Sequence, residues 1–343
     1  MNGTALNLVE KDLHGDLLSV WNYPLVSQSM QGLMEMIIST TKSNTTTMSS
    51  FQYTNCKGEW MYILKAPVEC DEVVREAFLG VVCTTFNPEK YKVVLTLLLR
   101  QYLENNGEPV KILEAYLAFM TQGQFGGMNL ADARFAAEAL STVSIMQEMW
   151  LDFGFDTVIL YNAMLLKKRV LVVGGDSLQK LLDTIRTLPQ FVSHRQDWSI
   201  LRPLVLETSQ VQVAELANLG VFVAGTMDAR LTSHKSLKYD VVVSLAEKRI
   251  TIATDSTSDL KMCGFHKEAA STLVQITNTE NVDAANTTSE DIVLKLQDYT
   301  QKALHQIQSL GEQGVADLNN ASTSQWLQRL AAAEGLFSAE ASI

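Results

Sequence analysis

The sequence predicts an α/β protein of two lobes, and three observations carry that prediction. Residues up to about 120 fall in the order ββαβββαα. A glycine-rich break, TQGQFGGMN, follows at 121–129, and beyond it short β-branched runs alternate with amphipathic helical stretches. A chain of 343 residues has length for two modest domains, since compact domains usually run to about 100–200 residues. The division is placed after residue 128, giving an N-terminal α/β lobe over 1–128 and a C-terminal α/β lobe with terminal helices over 129–343.

The first lobe opens with LNLVEKD (6–12) and LLSVWNYP (17–24), two apolar runs joined by LHGD, which read as a hairpin. In SQSMQGLMEMII (27–38), Met30, Leu33, Met34, Ile37 and Ile38 recur at helical spacing, and the low-complexity STTKSNTTTMSS (39–50) reads as a loop. A second hairpin is expected where FQYT and EWMYIL flank NCKG, and EAFLGVVCTTF (76–86) is a buried strand. In NPEKYKVVLTLLLRQYLENNG, Asn87 can cap free amides, Pro88 suits the first helical position, and Asn105, Asn106 and Gly107 end the helix. The next helix starts at Pro109 and is expected to turn Val110, Leu113, Leu117 and Phe119 or Met120 inward.

The second lobe begins with helical sequence to about Phe153. FDTVILYNAMLLKKRVLVVGG then reads as a helix ending in Lys167, Lys168 and Arg169 that runs into the strand VLVV. Helix 177–188, strand 204–206, helix 209–219, strand 221–225, strand 240–245, hairpin strand 249–253 and helix 267–277 follow. After the polar stretch NTENVDAANTTSED, two helices close the chain.

Composition excludes several functions. Apolar residues at 47% and charged residues at 19% describe a globular chain rather than a disordered one. A net charge of −11 argues against nucleic acid, whose binding needs clustered Lys and Arg. Glu10, Lys11 and Asp12 interrupt the start where a secretory signal needs an apolar core, and Arg100 breaks the best candidate for a span, YKVVLTLLLRQYL. The expectation is a cytoplasmic protein with no integral membrane segment. Cys56, Cys70, Cys83 and Cys263 form no CxxC pair, so reduced, buried thiols and no metal are expected. The sequons at Asn44, Asn286 and Asn320 then only mark loops.

Chemical motifs are sparse. VLVVGGDSLQKLL has the strand, glycine turn and helix of a dinucleotide site, but it lacks GxGxxG, and Asp176 stands where pyrophosphate would approach. Its glycines are read as a turn with Asp176 or Ser177 as the helix cap, and no cofactor is expected. GxxxxGK[ST], GxSxG and HExxH are absent, and His14, His234, His266 and His305 are scattered. One polar cluster remains, FVSHRQDWSIL (191–201). His194, Arg195, Asp197 and Trp198 could serve general acid/base catalysis if another segment supplied a pocket, could form a recognition surface, or could be a structural corner whose side chains satisfy loop backbone and whose tryptophan is buried. Lys167 and Lys168 could likewise meet an acidic partner or lipid, or simply be solvated at a helix end.

NPEKY (87–91), LLKKRVLVV (165–173), HRQDWSIL (194–201) and YDVVVSLAEKRITIA (239–253) resemble the short DENN-domain protein family. The likeness extends through LVEKDLHGDLLSVWNYP, PVKILEAY and the terminal LAAAE in the same order along nearly the whole chain, and departs at 39–50, 121–142 and 278–290. The resemblance implies a two-lobed DENN module, with a longin-like lobe followed by the DENN α/β lobe. It implies a guanine nucleotide exchange factor that grips the switch regions of a Rab GTPase between those lobes, associated with the late endosome and with membranes only peripherally. It also leaves open a non-catalytic subunit docked onto an endosomal Commander-type assembly. In either case the partner-binding candidates are His194, Arg195, Asp197, Trp198, Lys167 and Lys168, and no catalytic residue is expected.

Overall fold

The computed structural model describes residues 4–40, 50–68, 73–125, 128–129, 143–277 and 289–337. The expected loop at 39–50, much of the 121–142 stretch, the 278–290 stretch, Cys70 and the sequons at Asn44 and Asn286 lie wholly or mostly outside them. Residue contacts divide the chain into two compact units. One is Met1–Ser141 with Thr208–Gln212, and the other is Thr142–Glu207 with Val213–Ile343.

The first unit carries a five-stranded sheet in the order β2-β1-β5-β4-β3, antiparallel throughout, from β1 (Ala5–Asp12), β2 (Leu17–Tyr23), β3 (Ser50–Cys56), β4 (Glu59–Pro67) and β5 (Val74–Cys83). Turn chemistry sets both hairpins. Between β1 and β2 the Asp12 carboxylate accepts from the His14 and Asp16 amides, at 2.8 and 2.9 Å. Between β3 and β4, Lys57 and Gly58 both take positive φ (54° and 82°), the left-handed pair that a two-residue turn needs to match strand twist.

Helix α1 (Gln28–Thr40) buries Met30, Leu33, Met34, Ile37 and Ile38, the face its periodicity predicts. In α2 (Pro88–Glu104) the Asn87 side chain accepts from the Lys90 amide at 3.1 Å, with proline opening the helix. The Tyr62 hydroxyl ties this start to β4, donating to the Thr85 carbonyl (3.1 Å) and accepting from the Asn87 amide (2.9 Å). Helix α3 (Pro109–Gln122) differs from its sequence reading. It buries Ile112, Ala115, Tyr116 and Phe119, while Val110 and Leu117 are exposed. Apolar residues lie all around this helix, so periodicity alone left its rotation open. Tyr116, whose hydroxyl donates to the Thr4 carbonyl at 3.0 Å, sets it. Short strands β6 (Gln124–Phe125) and β7 (Met128–Asn129) pair beyond it.

The second unit carries the sheet β12-β11-β8-β10-β9. Its strands β8 (Val170–Val173), β9 (Leu201–Arg202), β10 (Val223–Thr226) and β11 (Val241–Ser244) are parallel, and β12 (Arg249–Ile252) closes an antiparallel hairpin with β11. β8 lies at the centre and is buried along its length, as expected of a parallel strand. The strand expected at 204–206 sits earlier, at Leu201–Arg202. Pro203 has no amide hydrogen to extend the ladder, and the Val205 amide donates to the Gly225 carbonyl of β10 at 2.7 Å.

Around this sheet lie α4 (Val143–Phe153), α5 (Thr157–Leu165), α6 (Leu178–Thr187), α7 (Gln210–Asn218), α8 (Gly264–Thr277), α9 (Ser289–Ala316) and α10 (Ala321–Glu334), though the first residues of α7 group with the other unit. Helix α9 turns at Gly311 (φ 65°, ψ 179°) and resumes to Ala316. Buried polar contacts lock α5 to the terminal helices. Trp326 Nε1 donates to Asn162 Oδ1 at 2.8 Å, and the Tyr161 hydroxyl meets Thr300 Oγ1 at 2.7 Å. Asn320, the third sequon, caps α10 by accepting from the Thr323 amide at 3.2 Å. Among the described residues no helix is long and apolar enough to cross a membrane. Cys56, Cys83 and Cys263 are buried.

Candidate functional site

Four of the six candidate residues converge on one cavity of the second unit, of about 150 Å³. Met164, Pro189, Val192, Ile200 and Val221 form its apolar wall, and Lys167, Lys168, Arg195 and Asp197 supply its polar groups. Two chain segments supply all of its lining but Val221, the end of α5 and the corner after α6.

At the end of α5 the Lys168 amide donates to the Ala163 carbonyl at 2.9 Å, and Lys167 takes a left-handed φ of 51°. The reversal sends three consecutive cations to different places. Lys168 Nζ binds Asp259 at 2.6 Å. Arg169 forms a fork on Asp240 (3.0 and 3.1 Å), whose carboxylate also accepts from the Arg169 amide and from Ser256 Oγ. These donors overcome the burial that would raise Asp240, and its pKa falls to about 2. Lys167 alone is left exposed, and among the described residues no carboxylate pairs with it.

The corner continues α6 through a buried 3₁₀ turn at Leu188–Val192. Arg195 Nη2 donates to the Met164 and Leu165 carbonyls, at 2.7 and 3.0 Å, so a guanidinium covers the negative end of α5. Its Nη1 stands 3.4 Å from Glu334 Oε1 but makes no hydrogen bond, and it is buried. Burial pulls the Arg195 pKa down, against the opposing pull of Glu334 and then Asp197. His194 Nε2 lies 3.0 Å from the same Glu334 oxygen, beside the cavity. Asp197 accepts from the Ser199 amide (2.9 Å) and hydroxyl (2.6 Å), opening the short turn Trp198–Ile200. Trp198 is half-buried, where a purely structural corner predicts full burial.

The residue missed from sequence is Glu334, at the end of α10 and 140 positions from His194. The LAAAE that ends the sequence resemblance contains it, yet nothing local marks it as a partner.

His194 is engaged with Glu334, and Asp197 with the amide and hydroxyl of Ser199 in its own turn. Among the described residues no three His, Cys, Asp or Glu side chains are grouped to hold a metal. The glycine turn after β8 serves packing: a Cβ on Gly174 would come 2.5 Å from Met227 Sδ. Of the two expected caps, Ser177 is the one that accepts from the Lys180 amide (3.2 Å), and Asp176 is exposed.

Comparison with known proteins places the cavity walls in a recognised region. Residues 145–254 match the family described as "Stabilization of polarity axis". Over its length the chain is 33% identical to human DENN domain-containing protein 10, covering 96% of this chain and 95% of that protein. It is 33% identical to the zebrafish (Danio rerio) protein of that name, over 90% of this chain and 87% of the other. For the Dictyostelium discoideum protein of the same name the identity is 29% over the same shares.

Proposed function

Because the chain belongs to the DENN domain-containing protein 10 family, we propose that it is a guanine nucleotide exchange factor for Rab GTPases, acting in late endosomal trafficking. The observation that carries the reading is kinship with DENN-domain proteins along almost the entire chain. Exchange requires no nucleophile, metal or cofactor of the factor's own. It requires surface that binds the nucleotide-free Rab more tightly than the loaded one, and release accelerates by that difference. A site built of committed charges around an apolar hole, with one free lysine, is chemistry of that kind.

In this reading residues 1–128 act as the longin-like lobe and 129–343 as the DENN α/β lobe. Lys167, Lys168, Arg195 and Asp197 face the partner, with His194 and Trp198 beside them. The protein works in the cytoplasm at the late endosomal surface, held there peripherally. The test is release of labelled GDP from a panel of purified Rabs by the full chain. Accelerated release from one Rab or a few is expected, and a panel with no response would refute the reading.

The cavity also favours a second reading, because a small apolar hole can anchor a partner side chain without moving any nucleotide. In that reading the protein is a non-catalytic subunit docked onto an endosomal recycling assembly of the Commander type. Stoichiometric co-purification with such an assembly, together with a silent Rab panel, would select it.

A further inference from the structure

We propose that β2, the outer edge of the first sheet, is a self-association surface that pairs antiparallel with β2 of a second copy of this chain. The inference is independent of the exchange reading, and its test uses no Rab.

As an edge strand β2 lacks the usual protection. Among the described residues it pairs only with β1, and Leu18 (64% exposed), Val20 (38%), Tyr23 (41%) and, just beyond the strand, Leu25 (84%) stand in solvent. Leu13 and Val73, also exposed, continue the strip at the hairpin end, where the Leu13 amide donates to the Val73 carbonyl at 3.1 Å. No charged residue occurs between Leu17 and Ser27, although the chain carries a net −11. Edges that stay single are kept short, covered, or guarded by cations and proline. The other edges follow that rule: β3 is buried over 52–56, and β12 has four residues, begins at Arg249 and follows Lys248. The strip on β2 exposes on the order of 600 Å², the upper end for a free monomer, and two copies of it amount to about 1,200 Å², the lower limit of a specific interface.

The match of the strand to itself identifies the occupant as a second copy. A β-bulge at Val20, where the register with β1 shifts, sorts the side chains onto two faces. Leu18, Trp21 and Tyr23 lie opposite Glu10, Leu8 and Leu6, on the face where Tyr102 of α2 donates to Glu10 and Tyr116 of α3 meets the Tyr23 ring edge-on. Ser19 and Asn22 lie opposite Val9 and Asn7, on the face toward α1, where Ser19 Oγ donates to Asn7 Oδ1 at 3.1 Å and Asn7 Nδ2 to Met34 Sδ at 3.5 Å. Directly opposed residues of an antiparallel pair share a face. A two-fold axis between Val20 and Trp21 therefore sets Leu18 against Tyr23 of the partner subunit, Ser19 against Asn22 of the partner subunit, and Val20 against Trp21 of the partner subunit. No like charges meet within the strand, a hydroxyl faces an amide, and apolar side chains cover the rest. Pro24, without an amide hydrogen, ends the ladder.

Sedimentation of the full chain from about 1 to 300 μM is expected to show a monomer–dimer equilibrium with a Kd on the order of 10 μM, as suits an interface at the lower size limit. Leu18→Lys and Val20→Lys each place a cation on the edge and should weaken dimerisation about tenfold or more, with the melting temperature unchanged. Cysteines read the register. In the double variant Ser19→Cys/Asn22→Cys the two thiols of one chain lie about 10 Å apart along the strand, too far for a disulfide, while each faces its counterpart on the second copy. Mild oxidation should link the double variant into covalent dimers and leave each single variant unlinked. Where a lysine variant melts lower, the cysteine result decides. A chain that stays monomeric up to about 300 μM overturns the proposal and leaves the edge to a strand of another protein. A dimer that survives both lysine variants also overturns it and places the interface elsewhere. Single cysteine variants that link as efficiently as the double one overturn the register and with it the argument for self-pairing.

Discussion

In the sheet of β1 to β5 every neighbouring pair is antiparallel, and aromatic rings do much of the filling: Tyr62 stacks on Tyr91 at 4.6 Å between centroids, and Trp60 meets Phe86 at 4.5 Å. The sheet of β8 to β12 has a short, wholly aliphatic centre, VLVV, and ion pairs fasten its strand ends. Arg169 grips Asp240 across the starts of β8 and β11, and Arg202 of β9 grips Glu215 of α7 at 2.6 Å. Long antiparallel strands register through cross-strand side chains, whereas four-residue parallel strands have few such pairs and need their ends tied. The consequence for function lies in the second sheet. Most of the cations around the candidate site are already bound to carboxylates or carbonyls, and among the described residues Lys167 is the exposed one of the LysLysArg run with no carboxylate paired to it.

Each sheet contains a glycine that a methyl group would crowd, which makes a direct contrast. On Gly225 the added carbon would come 2.4 Å from the Pro203 carbonyl oxygen and 2.0 Å from Ile185 Cδ1, and the backbone atom cannot step aside. On Gly80 it meets the Met34 thioether at 2.6 Å, the end of a flexible chain. Gly225→Ala is expected to cost roughly 3 kcal/mol or more in denaturant unfolding and Gly80→Ala about 1 kcal/mol. Equal losses would mean that the second sheet yields as readily as the first.

The second unit should also be the acid-sensitive one. His266 on α8 is fully buried against Trp326, its Nδ1 accepts the Cys263 amide at 3.1 Å, and burial lowers its pKa from 6.5 to about 4. The unfolded chain therefore binds a proton that the folded chain refuses between those values. Stability is complete above pH 6.5 and declines as pH falls toward 4, by up to about 3 kcal/mol. His266→Gln should flatten that slope in unfolding measured across the window, because glutamine can still accept the amide and does not titrate.

Asp240 carries the same sign at lower pH. Its contribution is present above 3.8 and is lost as pH falls through about 2. Asp240→Asn, which breaks the fork to Arg169, is expected to cost roughly 2–3 kcal/mol at neutral pH and to remove the acid loss in that lower range.

Smaller effects belong to the corner and its approach. Trp198 is half-buried, so Trp198→Ala should cost about 1–2 kcal/mol in place of the roughly 3–5 kcal/mol of a fully buried aromatic. A larger loss would make it a core residue, and a small one accompanied by lost partner binding would make it part of the surface. Smallest is the cap of α6. Ser177→Ala should lower stability by about 1 kcal/mol and Asp176→Ala by almost nothing, and the reverse order would return the cap to Asp176.

What could be read directly in the amino-acid order was local. The Lys57–Gly58 turn, the Asn87–Pro88 helix start, the buried face of α1 and the central strand VLVV each depend on residues within a few positions of one another. The alternation of strands and helices gave the α/β class for the same reason. The candidate cluster was visible as a polar island in apolar sequence, but its organisation was not. Glu334 reaches His194 and Arg195 from 140 and 139 positions away, and Asp240 claims Arg169 from 71. Packing also placed α3 in a different rotation from its periodicity and moved the second parallel strand back to Leu201–Arg202. Charges carry no sequence signature of their partner, because attraction depends on distance in space and burial. Which lysine of LysLysArg stays free, and whether the corner encloses a cavity, followed from the folding of distant segments onto it.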